Sequence, residues 1–181
     1  MTAKHTIAAG LLMLVACGDT PDAFAPAEQP DRSTLRASAV ADGQLDDIHD
    51  LIAAQAVAWA AHDGVAYGET YTVDAEVVNP RGGLLLGRTG IADAHVILFN
   101  PMFGPFRGST STWAVREVKF ITGTTALVKL DVTLTGYSSL PPGLPEVQPG
   151  VVQNRVTWIA SKRSGGWLIS FQQMTPLQPG A

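Results

Sequence analysis

The sequence has little charge, one cysteine and no apolar run long enough to span a bilayer, and each shortage excludes a class of protein. Charged side chains make up 15% of the 181 residues, with 16 acidic against 12 basic and a net charge of −4. No basic face is available to neutralise phosphates, so nucleic acid is not an expected partner. The single cysteine, Cys17, rules out an intramolecular disulfide and a zinc site built from several thiolates. No pair of histidines or carboxylates recurs at metal-ligand spacing, and no glycine-rich phosphate loop or solenoid-length repeat is visible. Neither a metal nor another cofactor is expected.

The N-terminus carries a short apolar run with a recognisable end. Lys4 and His5 form a basic start, residues 7–15 are apolar or small, and Leu14-Val15-Ala16-Cys17 resembles the lipobox of bacterial lipoproteins. The resemblance implies that residues 1–16 are a signal peptide and that Cys17 bears a thioether-linked diacylglycerol. The mature chain would then be extracytoplasmic and membrane-anchored, on the periplasmic or cell-surface side. The alternative is an ordinary signal peptide followed by a free or buried thiol. Residues 17–42 contain Pro21, Pro26 and Pro30 among small and polar residues, which predicts a flexible tether.

The remainder, residues 43–176, has enough apolar residues to fill one core. Asp42 is a candidate N-cap, and Asp46, Asp47 and Asp50 suit the positive end of a helix dipole. Leu45, Ile48, Ile52, Gln55, Ala56 and Trp59 recur at offsets of three and four, predicting a first helix over 42–61 that stops at Gly64. A short helix is predicted over 65–71, and a third begins at Thr89 and ends at Pro101. Residues 75–78 and 84–86 read as a hairpin around Pro80-Arg81-Gly82-Gly83. Four longer strands follow, over 113–120, 126–137, 151–161 and 167–174. In the second, Ala126, Val128, Leu130, Val132 and Leu134 share one face and polar residues the other, the pattern of a half-buried antiparallel strand. Helices first and a meander of strands afterwards make the fold class α+β, with helices on one side of a curved sheet.

The run Tyr71-x-x-Asp74-Ala75-x-Val77-x-Asn79-Pro80-x-Gly82, followed by Gly87-Arg88-x-x-Ile91-x-x-x-His95, resembles the nuclear transport factor 2-like superfamily. The likeness is to its SnoaL-like and ketosteroid isomerase-like branch, of SgcJ/EcaC type. Arg155-Val156-Thr157 and Gly166-Trp167-x-Ile169 fit the same pattern. The resemblance implies a cone-shaped, curved antiparallel sheet wrapped around about three N-terminal helices, a cavity at the wide end of the cone, and often a homodimer. It identifies a fold far better than a chemistry.

The ketosteroid isomerase machinery needs an Asp base in the turn after the first strand and a Tyr on the first helix. Those positions fall on Asn79 and near Gln55, and an amide cannot accept a proton at neutral pH. His95 is then the candidate acid-base residue, oriented by Asp74 or Asp131, against the plainer reading of a core histidine bonded to backbone. Arg116 lies in phase with Val118 and Phe120, Asn154 with Val156 and Trp158, and Gln173 with Ile169 and Phe171. Polar groups on such faces need partners, which a pocket could supply. Trp59, Tyr67 and Tyr71 read either as a pocket wall or as core. The ligand-binding candidates are therefore Gln55, Trp59, Asn79, Arg116 and Asn154, with a small hydrophobic molecule as partner. Enzymes of isomerase, dehydratase or cyclase type and a structural module with a filled cavity are the alternatives. The Pro-rich segment 140–150 reads as a cover over one end of the cone or a tolerated insertion.

Overall fold

The computed structural model describes residues 32–180. The expected signal peptide, Cys17 and the tether as far as residue 31 lie outside the described residues.

Helix α1 spans Arg32–Ala60, so it starts well before the N-cap expected at Asp42. Leu35, Arg36, Ala37, Ala39 and Ala41 are good helix formers, and no proline falls between Pro30 and Pro80 to stop them. Asp46, Asp47 and Asp50 consequently lie mid-helix and not at its positive end. The buried stripe of Ile48, Leu51, Ile52, Gln55, Ala58 and Trp59 follows the predicted period.

The end of α1 differs from expectation in its chemistry. His62 takes the left-handed conformation, φ 52°, while its N–H bonds to Trp59 O at 2.9 Å and that of Asp63 to Ala58 O at 3.0 Å. This is the Schellman arrangement with histidine in the usual glycine position. His62 is half-buried, with Nε2 3.0 Å from Ser109 O. Gly64 opens helix α2 (Gly64–Glu69), whose first amides are capped by Asp63. The role of Gly64 is close approach: a Cβ there would sit 2.3 Å from Val96 N and 2.7 Å from the His95 carbonyl carbon, on helix α3 (Gly87–Leu98). Helix α3 starts before Thr89, and Leu86 at its N-cap position makes no side-chain capping bond.

Six strands form one sheet: β1 (Tyr71–Val78), β2 (Leu84–Leu86), β3 (Thr110–Thr122), β4 (Thr125–Thr135), β5 (Val152–Arg163) and β6 (Gly166–Pro176). The spatial order is β2-β1-β6-β5-β4-β3. All neighbours are antiparallel except β1 and β6, which run parallel because the meander brings the last strand back beside the first. The helices cover one face, and α1 packs on β3 and β6 while α3 packs on β1. The predicted alternation in β4 is observed, with Ala126, Val128, Leu130, Val132 and Leu134 all buried.

Bulges break the expected alternation in β3 and β6. In β3, Val115 pairs with Leu130 and Glu117 with Lys129, leaving Arg116 as the extra residue. In β6, Phe171 pairs with Ile159 and Ile169 with Ala160, leaving Ser170 as the extra residue, whose Oγ donates to Ile159 O at 3.0 Å. The consequences for the predicted faces are direct. Arg116 is not on the helix-covered face with Val118 and Phe120; it lies on the exposed face. Gln173 is exposed as well, and its neighbour Gln172 is buried in its place.

The close approach of α2 to α3 yields a test. Gly64→Ala should lower the urea midpoint by the equivalent of about 1–3 kcal/mol, the usual cost of overpacking. An unchanged midpoint would mean that the helices can part without loss.

Candidate functional site

Between the helices and the sheet lies a cavity of about 300 Å³. Trp59 of α1, Tyr67 of α2 and His95 of α3 form one wall; Val132, Leu134, Val152, Asn154, Val156, Gln172 and Met174 of the central strands form the other. The β1–β2 turn contributes Asn79, Pro80 and Arg81 to the lining, and the segment 140–150 contributes Leu144. The Pro-rich segment thus closes part of the wall, held by a hydrogen bond from the Tyr137 hydroxyl to Glu146.

His95 is the best-defined polar group of this site. Its ring stacks on Tyr67 with centroids 3.9 Å apart, and Nδ1 lies 2.8 Å from Ile91 O. A carbonyl at that distance requires the proton on Nδ1, so in the neutral ring Nε2 keeps a lone pair. Burial lowers the His95 pKa to about 4, against which the bond to Ile91 works only in part. The ring is therefore neutral at physiological pH. No carboxylate orients it: Asp74 is exposed, and Asp131 lies on the other face of the sheet between Arg116 at 2.7 Å and Arg155 at 3.1 Å. The plainer expectation, a histidine bonded to backbone, describes its contacts, although the ring does line the cavity.

The other candidates separate. Trp59 lines the cavity and donates from Nε1 to Ser109 Oγ at 3.1 Å, packing edge-on to Phe99 at 5.0 Å. Asn154 lines it, 4% exposed, with an Oδ1 that has no hydrogen-bond partner. Asn79 lines it too, but its Oδ1 is committed to the turn, accepting from Arg81 N at 2.9 Å and Gly83 N at 3.0 Å. Gln55 is fully buried without reaching the cavity wall, and its Nε2 donates to Thr70 Oγ1 at 2.6 Å. Arg116 belongs to the opposite face and does not line this cavity, because the bulge at that residue reverses its side.

Sequence reasoning missed Gln172. Its Oε1 accepts from the Tyr71 hydroxyl at 2.9 Å and from Trp158 Nε1 at 2.6 Å, which ties β1, β5 and β6 together. Burial pushes the Tyr67 hydroxyl up to about 12 and that of Tyr71 well above its ordinary value, so both stay protonated. Arg81, at an exposed turn, is the one charged side chain among the described residues lining the cavity.

Strand order, helical cover and cavity together are those of a known architecture, and solved structures match it over most of the chain. A protein with a cystatin-like fold from Caulobacter vibrioides superposes with a TM-score of 0.63 at 24% identity, over 76% of this chain and 92% of that one. The chain has the nuclear transport factor 2-like fold. A ketosteroid isomerase-like protein from Erwinia carotovora atroseptica matches with a TM-score of 0.57 at 17% identity, over 75% and 98% of the two chains. An NTF-2 like protein of unknown function from Shewanella oneidensis gives 0.56 at 19%, over 72% and 98%. By sequence, the chain matches no family model and no curated protein. At such identities the nuclear transport factor 2-like likeness is one of fold, and chemistry has to be argued from the side chains.

The neutral state of His95 has a measurable consequence. Its folded pKa of about 4 lies below the ordinary 6.5, so between these values the unfolded chain binds the proton more readily. The stability involved is fully present above pH 6.5 and is lost as pH falls toward 4, by up to about 3 kcal/mol at 1.36 kcal/mol per unit. His95→Gln should remove this component, seen as a smaller drop in urea midpoint between pH 7 and acid; an unchanged drop would place the acid sensitivity elsewhere.

Proposed function

We propose that this domain binds a small, uncharged, largely apolar molecule in its cavity, outside the cytoplasm and tethered to a membrane through Cys17. The observation that carries the binding reading is the state of His95: a neutral ring facing the cavity, fastened to a backbone carbonyl with no carboxylate behind it. A base of that pKa has little drive to take a proton from a carbon acid or alcohol at neutral pH. The same ring, stacked on Tyr67, suits the wall of an apolar pocket and leaves one lone pair for a hydrogen bond. The apolar strand residues and Trp59 supply the burial that drives uptake. These features support binding over proton transfer by His95, and the cavity volume supports binding over a filled structural core.

The anchor is supported by the lipobox-like Leu14-Val15-Ala16-Cys17 and the proline-containing segment after it. No described helix is long and apolar enough to cross a membrane, so attachment in this reading runs through the lipid on Cys17.

Two measurements check the two halves. Native mass spectrometry of protein purified from its own host should show an added mass per subunit that disappears on denaturation. The same spectrum reports whether the homodimer implied by the family resemblance exists. Bare protein that also fails to take up apolar probes would overturn the binding reading. Cys17→Ser should move the protein from the detergent phase to the aqueous phase on phase separation; unchanged partitioning would defeat the anchor.

A further inference from the structure

Resting on the binding reading, we propose that the cavity selects a two-ended molecule: an uncharged apolar body with an oxygen acceptor at one end and a hydroxyl at the other. The first end is set by Gln172, 1% exposed and part of the cavity wall. Trp158 Nε1–H can only donate, so the atom it meets at 2.6 Å must be the carboxamide oxygen, and the Gln172 amide cannot be flipped. Its Nε2 is then left without a partner, a buried donor waiting for an acceptor.

The second end is set by Asn154, 4% exposed, whose side-chain amide has a buried polar atom without a partner. A hydroxyl, which both donates and accepts, is the neutral group that satisfies either atom of that amide. Register fixes how far apart the ends lie. Trp158 is the cross-strand partner of Gln172, while Asn154 sits four residues earlier on the same face of β5, opposite Pro176. Four residues of strand span about 13 Å. The rung between them is the apolar pair Val156 and Met174, both in the cavity wall. No single oxygen bridges the two amides, and the wall between them rewards an apolar body. Arg81, on the β1–β2 turn, is the lone charged lining residue among those described, and no charged lining residue lies on β5 or β6, the strands that carry the two amides.

Rigid probes read this directly: p,p′-biphenol with a hydroxyl at each end, p-phenylphenol with one, and biphenyl with none. Binding is followed by quenching of Trp59 and Trp113, which both line the cavity. Wild type should bind the biphenol at least about tenfold more tightly than p-phenylphenol, the scale of one buried hydrogen bond to a group otherwise left unpaired. Asn154→Val should abolish that advantage and leave p-phenylphenol unchanged, since it retains the Gln172 end. As Asn154 Oδ1 bonds to nothing in the protein, this variant should melt no lower than wild type, which also verifies its folding. Equal binding of biphenol and p-phenylphenol by wild type would overturn the two-ended inference and leave the binding reading standing, with water satisfying the amides. Retention of the biphenol advantage in Asn154→Val would likewise overturn it. Failure of all probes to bind would overturn both.

Discussion

A single carboxamide oxygen, buried where three strands meet, organises the interior of this protein. Gln172 Oε1, on β6, accepts hydrogen bonds from a hydroxyl on β1 and an indole N–H on β5, so the parallel seam of the sheet and its antiparallel neighbour close on one atom. Each donor would carry a desolvation cost if left alone, and one acceptor with two lone pairs removes both. Tyr71, fixed this way, packs beside Tyr67 at 5.9 Å, and Tyr67 in turn carries the ring of His95. The close contact of Gly64 with α3 holds the other end of that stack. Apolar packing makes the cone, and these neutral hydrogen bonds fix the orientation of the Gln172 amide within it.

Much of the architecture was legible because burial leaves a period in the sequence. The alternation in β4 and the stripe on α1 are both read from spacing alone, and both are observed. The bulges were not legible, because an extra residue in a strand carries no compositional mark. Arg116 and Ser170 are ordinary strand residues, yet each reverses the faces that follow or precede it. Spacing alone therefore puts Arg116 on the covered face and picks out Gln173, one position from the buried Gln172. The start of α1 escaped for a different reason: proline and small residues before residue 31 set the expectation of a tether, while the alanines after it favour helix.

The candidate site shows the limit of reading chemistry from residue type. Histidine on a cavity-facing helix suggested proton transfer, yet its surroundings decide its basicity, and here desolvation outweighs the one hydrogen bond that favours the charged ring. In the sequence Asn154 is like any polar residue on a buried face, and the missing partner of its amide is a property of the fold. Solved structures match this chain in fold at 17% and 19% identity, and a shared fold leaves the chemistry to the side chains that line the cavity.

The turn between β1 and β2 carries a last consequence. The Asn79 side chain joins it through oxygen alone, its Oδ1 accepting from two backbone N–H groups, a task that a carboxylate oxygen performs equally well. Amide and acid are therefore interchangeable for the backbone at this position, and differ only in what the second side-chain atom offers to the cavity rim. The hairpin is in this sense blind to the presence of a base: an acid at position 79 would stand on the cavity wall with the turn beneath it unchanged.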